Sequence, residues 1–195
     1  MNLLDLVVRT RSYRRFDQSY HIATEILREL VNLACLTSSA RNAQALKYLL
    51  INTPEDCANL FPLIAWAGYL TDWPGPIEGE RPTAYIVVLK DTTISQNIFC
   101  DDGLAIQSIM LGATEKGLGG CIIGSINKEQ IRETLSLAED LEVLYVLALG
   151  KPIEKVVLEE IKDNNSKYWR DKNGVHHVPK RELDELIILN KKGKI

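Results

Sequence analysis

The chain has no Cys-x-x-Cys pair. Its four cysteines, Cys35, Cys57, Cys100 and Cys121, stand far apart, which excludes zinc ribbons and thioredoxin-like sites, since both need close pairs. Three of the four lie in apolar-periodic stretches, where buried reduced thiols are expected. Histidine is also scarce: besides the adjacent His176-His177 only His21 occurs, and no spacing of His, Asp and Glu suits a metal ion. No run of about 18 uncharged apolar residues is present, so no membrane span is expected. Charge of one sign is lacking as well. With Lys and Arg at 23 and Asp and Glu at 26, the formal charge is −3, which gives no electrostatic footprint for nucleic acid. The first residues carry an acid inside their apolar run and no small-residue cleavage site, so a secretory signal is not expected and the chain reads as soluble and cytoplasmic. Neither a Ser-His-Asp arrangement nor a Gly-x-Ser-x-Gly elbow occurs.

What is present is an ordinary globular composition, 46% apolar and 25% charged over 195 residues. It predicts one domain, 1–195, with a core large enough to need no staples. Helical spacing predicts helices over Leu3 to Val8, Ala23 to Thr37, Pro54 to about Ile64, Ile98 to Lys116, Lys128 to Leu135 and Glu182 to Leu189. The fourth is apolar nearly all round and reads as a buried central helix, ended by Gly117 and Gly119. Strands are predicted at Tyr48 to Ile51, Tyr85 to Leu89, Cys121 to Ile123 and Glu142 to Leu149. The glycines and prolines of Trp66 to Pro82 oppose regular structure there, and the tail from Val156 reads as charged, with Lys191 to Lys194 frayed. There are too few βαβ units for a doubly wound domain. The fold class is α+β, a sandwich with a mixed, mainly antiparallel sheet around a buried helix.

Four segments carry chemistry. Arg9-Thr10-Arg11-Ser12-Tyr13-Arg14-Arg15-Phe16 concentrates guanidiniums and hydroxyls suited to phosphate, although alone it reads first as a solvated charge run. Ser39-Ala40-Arg41-Asn42-Ala43-Gln44 is a polar turn. Gly117-Leu118-Gly119-Gly120 precedes a strand, the reverse of the dinucleotide fingerprint, which requires strand, glycines, then helix. Lys180-Arg181 is a second basic pair. Asp101-Asp102, at the start of a long helix, reads as complementing its dipole.

Taken together and in order, Arg11-Ser12-Tyr13-Arg14-Arg15-Phe16, Ser39-Ala40-Arg41-Asn42-Ala43-Gln44, the long helix into Gly117-Leu118-Gly119 and Cys121-Ile122-Ile123-Gly124, and Leu147-Ala148-Leu149-Gly150-Lys151-Pro152 with Pro179-Lys180-Arg181 resemble the nitroreductase family of FMN-dependent flavoproteins. The resemblance implies a nitroreductase-like α/β sandwich and a homodimer with FMN at its interface. It implies an enzyme that passes electrons from NAD(P)H to an organic acceptor such as a nitroaromatic or quinone by a ping-pong mechanism. The chemistry is then carried by FMN, with no catalytic side chain and no metal. Arg11, Ser12, Lys180 and Arg181 are implied at the FMN phosphate, Arg14 near flavin N1/O2, and Tyr13 and Arg15 beside them. Ser39, Asn42 and Gln44 are implied at the ribityl chain or ring edge, from the partner subunit, and the backbone of Ile122, Ile123 and Gly124 at the N5/O4 edge. The sequence departs from the family pattern at Ala45-Leu46, where Pro-Trp is frequent, and at Thr10, often a second Arg. The aromatic segment Trp66 to Pro82 is expected either to cover the flavin face, with Tyr69 or Trp73 stacking on substrate, or to plug a gap in the core. The alternatives are a non-catalytic flavin-binding dimer, or a relative that fragments flavin or dehalogenates aromatic rings.

Overall fold

The run Ala84-Tyr85-Ile86-Val87-Val88-Leu89 is buried along its whole length, as a continuous apolar run requires of an inner strand. In the computed structural model, which describes residues 1–188, it forms most of one inner strand of a four-stranded sheet. In chain order the sheet's strands are β1 (Leu46–Ile51), β2 (Ala84–Asp91), β3 (Gly119–Ile123) and β4 (Leu141–Gly150), arranged β1-β2-β4-β3. All three pairings are antiparallel. Each strand is predicted by the sequence and runs two or more residues beyond the prediction, because ladder hydrogen bonds continue past the apolar residues that signal it.

The helices of the same unit are α1 (Leu3–Arg9), α2 (Thr24–Cys35), α3 (Pro54–Leu60), α4 (Asp101–Glu115) and α5 (Lys128–Thr134). Asn2 caps α1 through Asp5 N at 2.9 Å, and Thr53 caps α3, where Pro54 needs no donor of its own. The helix predicted from Pro54 to about Ile64 breaks at Leu60, and a short 3-10 turn over Phe61–Leu63, containing Pro62, follows. The long helix starts at Asp101 rather than Ile98, since Phe99 has a positive φ of 50°. It ends before Gly117, whose φ of 73° suits glycine; Gly119, read as part of the same stop, instead opens β3.

Leu27, Leu30 and Ala34 of α2, Ala105, Ile106, Ile109, Met110 and Ala113 of α4, and Ile86, Val88, Leu147 and Leu149 of the sheet form one apolar core. The helix α4 is therefore central, but it is not buried on every side: Leu104 is exposed. Of the cysteines, Cys57 and Cys121 are buried, whereas Cys35 and Cys100 are exposed, which corrects the expectation for Cys35 at the end of its helix.

The described residues divide into two compact units. The first is Met1–Trp66 with Pro74–Ile153, and the second is Ala67–Trp73 with the chain from Glu154 onward. The second unit corrects the reading of a merely charged tail. Val156–Glu160 (β5), Trp169–Arg170 (β6) and His176–Lys180 (β7) form a three-stranded sheet, with β5 and β7 parallel and β6 and β7 antiparallel. These strands are two to five residues long and hold at most three apolar residues in a row, so a search for apolar runs passes over them. A one-turn helix, α6 (Leu183–Leu186), follows; Leu189, at the end of the predicted last helix, and the predicted frayed end both lie outside the described residues.

Candidate functional site

The arginine-rich segment lies against the sheet because its last residue is an anchor. Phe16 is fully buried, a contribution of about 1.5–3 kcal/mol for such a side chain. Its ring occupies the space a side chain at position 150 would need: a Cβ on Gly150 would stand 2.7 Å from the ring. Phe16 also bridges Pro152, and Ile153 N donates to Arg15 O at 3.1 Å. At the other end Thr10 Oγ1 sits 2.8 Å from Leu6 O and 3.0 Å from Thr114 Oγ1 on α4. The threonine at this departure from the family pattern is thus buried and closes α1.

Between these anchors Ser12 bridges Gly120 in parallel fashion, and Tyr13 N donates to Gly120 O at 2.8 Å. The segment therefore runs along the outer edge of β3 and brings Arg11, Ser12, Tyr13 and Arg14 beside the strand that carries Ile122 and Ile123 and leads into Gly124. Among the described residues β3 otherwise pairs with β4 alone. Ile122 and Gly124 are exposed, while Ile123 between them is buried.

The arginines differ in their surroundings. Arg15 forms a two-point ion pair with Glu80, its Nε donating to Oε2 at 2.7 Å and its Nη2 meeting Oε1. This places Arg15 on a carboxylate of its own unit. Arg14 is buried, with Nη1 donating to Ser12 O at 3.2 Å. Arg11 donates from Nη2 to Val7 O at 2.7 Å, and its Nε is buried with no hydrogen-bond partner. Burial lowers the Arg11 pKa from its ordinary value, opposed by Tyr13. Arg11 is a partly desolvated cation with an unfilled donor.

The polar turn is a strained element held from outside. Arg41, Asn42 and Gln44 have φ of 56°, 53° and 53°, a region that only Asn among them tolerates readily. The 3-10 turn Ala40–Asn42 is fixed by Asp101 at the start of α4: Ser39 Oγ donates to Oδ2 at 2.6 Å and Ala40 N donates to Oδ1 at 2.8 Å. Ser39 Oγ in turn accepts from Gln44 N at 2.9 Å, and Gln44 Nε2 donates to Asn42 Oδ1 at 3.1 Å. Asp101 is buried. Its role was missed by sequence reading, which gave it to the helix dipole, and no local signal marks it, because its partners lie about sixty residues away in the chain.

In the second unit, Lys180 ends β7, and Arg181 pairs with Glu185. Tyr69 packs on Tyr168 with ring centroids 4.9 Å apart, and Trp73 lies under the Arg170 guanidinium at 4.4 Å, with Arg170 paired to the buried Glu154 at 3.0 Å. Both rings thus have partners within their unit. Trp66, of the same aromatic segment but in the first unit, fills the space over Gly75. Among the described residues no three His, Cys, Asp or Glu side chains are grouped as metal ligands, and no helix is long and apolar enough to cross a membrane.

The nitroreductase family profile matches residues 79–151. The chain is 25% identical over 183 residues to YodC of Bacillus subtilis strain 168, provisionally named an NAD(P)H nitroreductase, with 78% of this chain and 91% of that protein covered. A nitroreductase family protein from Streptococcus pneumoniae TIGR4 has the same fold at a TM-score of 0.70 and 16% identity, over 97% of this chain and 100% of that one. A protein from Exiguobacterium sibiricum 255-15, provisionally named a nitroreductase and solved in complex with FMN, matches at a TM-score of 0.66 and 22% identity, over 78% of this chain and 89% of that one. The profile spans β2, α4, β3 and β4, the elements on which the arginine segment and the polar turn are mounted, and the chain is thus similar to nitroreductases in this stretch of sequence and in fold.

Proposed function

We propose that the chain is an FMN-dependent oxidoreductase that takes electrons from NAD(P)H and passes them to a small organic acceptor in a ping-pong cycle, as a cytoplasmic homodimer. The observation that carries this reading is Arg11. A half-buried guanidinium whose Nε has no partner is costly in the protein alone, and a phosphate dianion supplies both the charge and the acceptor it lacks. Arg11 and the Ser12 hydroxyl would hold that phosphate, and Tyr13 fixes their register on β3. Arg14 would place positive charge on the pyrimidine edge of the flavin, which favours an anionic reduced ring. The end of β3, at Ile123 and the exposed Gly124, would meet the ring's other edge.

When bound, the flavin supplies the hydride and electron transfer. The protein's work is then binding, orientation and electrostatics, and no side chain is assigned as acid or base. The fit of FMN to this chain is supported by the solved relative that carries it, and the nicotinamide donor by the name of YodC. Asn42 and Gln44, on a turn rigid enough to serve a neighbouring molecule, would complete the partner's site. The dimer is supported by an apolar surface: Leu3, Leu4, Val7 and Val8 of α1, Leu36, and Leu104 of α4 are all exposed, more than an isolated surface explains.

The test is a visible spectrum of the purified protein under anaerobic conditions, before and after NADH and then NADPH. A yellow protein that bleaches is expected. A yellow protein that neither nicotinamide bleaches moves the reading to a flavin-binding dimer without reductase activity. A colourless protein that takes up no added FMN ends it.

A further inference from the structure

The residues assigned to flavin leave another cavity of the first unit unused. It has a volume of about 230 Å³ and lies where α3, the start of β2 and residues 78–83 meet. Its floor holds Tyr85, which is fully buried and whose hydroxyl has no hydrogen-bond partner. The buried hydroxyls elsewhere in this unit do have partners: Thr83 Oγ1 donates to Tyr20 O at 2.8 Å and Thr114 Oγ1 to Met110 O at 3.0 Å. Burial raises the Tyr85 pKa, Cys57 adding to the rise and Arg81 opposing it, so the phenol stays protonated and is a donor.

A second unfilled donor lies beside it. The Arg81 guanidinium sits 4.3 Å from the centre of the Phe61 ring and its Nη1 is 2.9 Å from Glu78, yet its Nε is buried without a partner. Most other donors of the wall are spent. The Gln18 amide donates to Glu78 at 2.7 Å, Asn52 Nδ2 donates to Ile22 O and Thr24 Oγ1, both at 3.0 Å, and the Cys57 thiol lies 3.5 Å from Thr83 O. Pro54, Ala58, Phe61 and Pro82 supply apolar surface. The remaining ionisable groups on the wall are Glu78 and His21, both exposed.

We propose that this cavity is a binding site for a small aromatic carboxylate, its carboxylate accepting from Tyr85 and Arg81 and its ring lying against Phe61, Pro54 and Pro82. Two unfilled donors, one of them cationic, call for an anionic acceptor, and the flat apolar walls call for a ring. A volume below the roughly 300–1,000 Å³ of sites for drug-sized ligands limits the occupant to about one ring. None of the residues assigned to flavin lines the cavity, so the site is independent of the flavin reading.

The probe is benzoate, with benzamide as its neutral counterpart, titrated calorimetrically into the protein saturated with FMN, or into the protein as purified if it takes up no flavin. Saturable benzoate binding is expected, at least tenfold tighter than benzamide. Tyr85→Phe should weaken it at least tenfold without lowering the melting temperature, because that change removes only an unpaired buried hydroxyl. Ala58→Trp, at an exposed lining position, should block the cavity with a similar loss. Benzoate binding that both variants leave intact places the carboxylate elsewhere and overturns the proposal, as does the absence of binding to the unmodified protein.

Discussion

Arg11 is a residue whose environment is unfavourable until something binds. Its guanidinium has one backbone acceptor and a buried, unpartnered Nε, whereas Arg15, four positions on, is neutralised by Glu80. Arg11→Ala should therefore raise the Kd for FMN by about ten- to a hundredfold, the equivalent of roughly 1.5–3 kcal/mol for a hydrogen bond to a charged group, as read by flavin fluorescence quenching. Arg15→Ala should act mainly on stability. Equal affinity in Arg11→Ala and the unmodified protein would remove Arg11 from the phosphate. Three buried groups also set a pH limit. Burial pushes the Cys57 thiol from 9.0 up to about 11, the Tyr48 phenol from 10.0 up to about 12, and Tyr85 higher still. Each is neutral when protonated, so above about pH 9 the unfolded chain releases these protons while the folded chain keeps them. The stability they contribute is complete below that pH and is lost as the pH rises through the folded values. The urea midpoint should be level from about pH 7 to 9 and fall between about 9 and 11, and Tyr85→Phe should make the fall shallower. A midpoint that stays level to the upper limit would contradict the burial of these groups.

At the scale of elements, the polar turn and the helix α4 act as one piece. Three non-glycine residues with positive φ are held by two hydrogen bonds to Asp101 and a third from Gln44 N to Ser39. Asp101→Ala takes the carboxylate acceptor from a half-buried hydroxyl and a backbone N–H, which should cost about 1–3 kcal/mol in urea unfolding. It should also release the turn, seen as faster hydrogen exchange at residues 39–44, with Asp101→Asn intermediate because it keeps one acceptor. Unchanged exchange in Asp101→Ala would show that the turn is held by its own bonds alone. Much of this element was legible in the chain: the turn residues, the helix and the glycine stop are all local signals. Asp101 was not, because an acid at a helix start serves the dipole equally well wherever the turn lies. The sheet β5-β7-β6 escaped for a different reason. Its strands are two to five residues long and carry no sustained apolar or alternating pattern, so their pairing depends on the partner strands more than on their own pattern.

At the scale of the whole molecule, the proposed dimer rests on the exposed apolar residues of α1 and α4. Leu104→Glu puts a charge on the exposed face of the central helix, where it would disrupt a dimer but not the core behind it. Sedimentation should show a shift from dimer toward monomer together with weaker FMN retention, with the secondary structure unchanged by circular dichroism. A variant that remains dimeric would place the interface on another face.

The sequence alone determined the strands of the main sheet, the central helix and the family resemblance. These rest on apolar periodicity, helix stops and short motifs, all of which act over a few residues. Which arginine is left without a carboxylate, which acid holds the turn, and which hydroxyl lies buried beside an unfilled cavity were decided only by the tertiary structure. Glu80, Asp101 and Arg81 are distant in sequence from the Arg15, Ser39 and Phe61 side chains they meet. Whether a polar group is satisfied depends on what the fold brings within about 3 Å of it, and no local pattern records that.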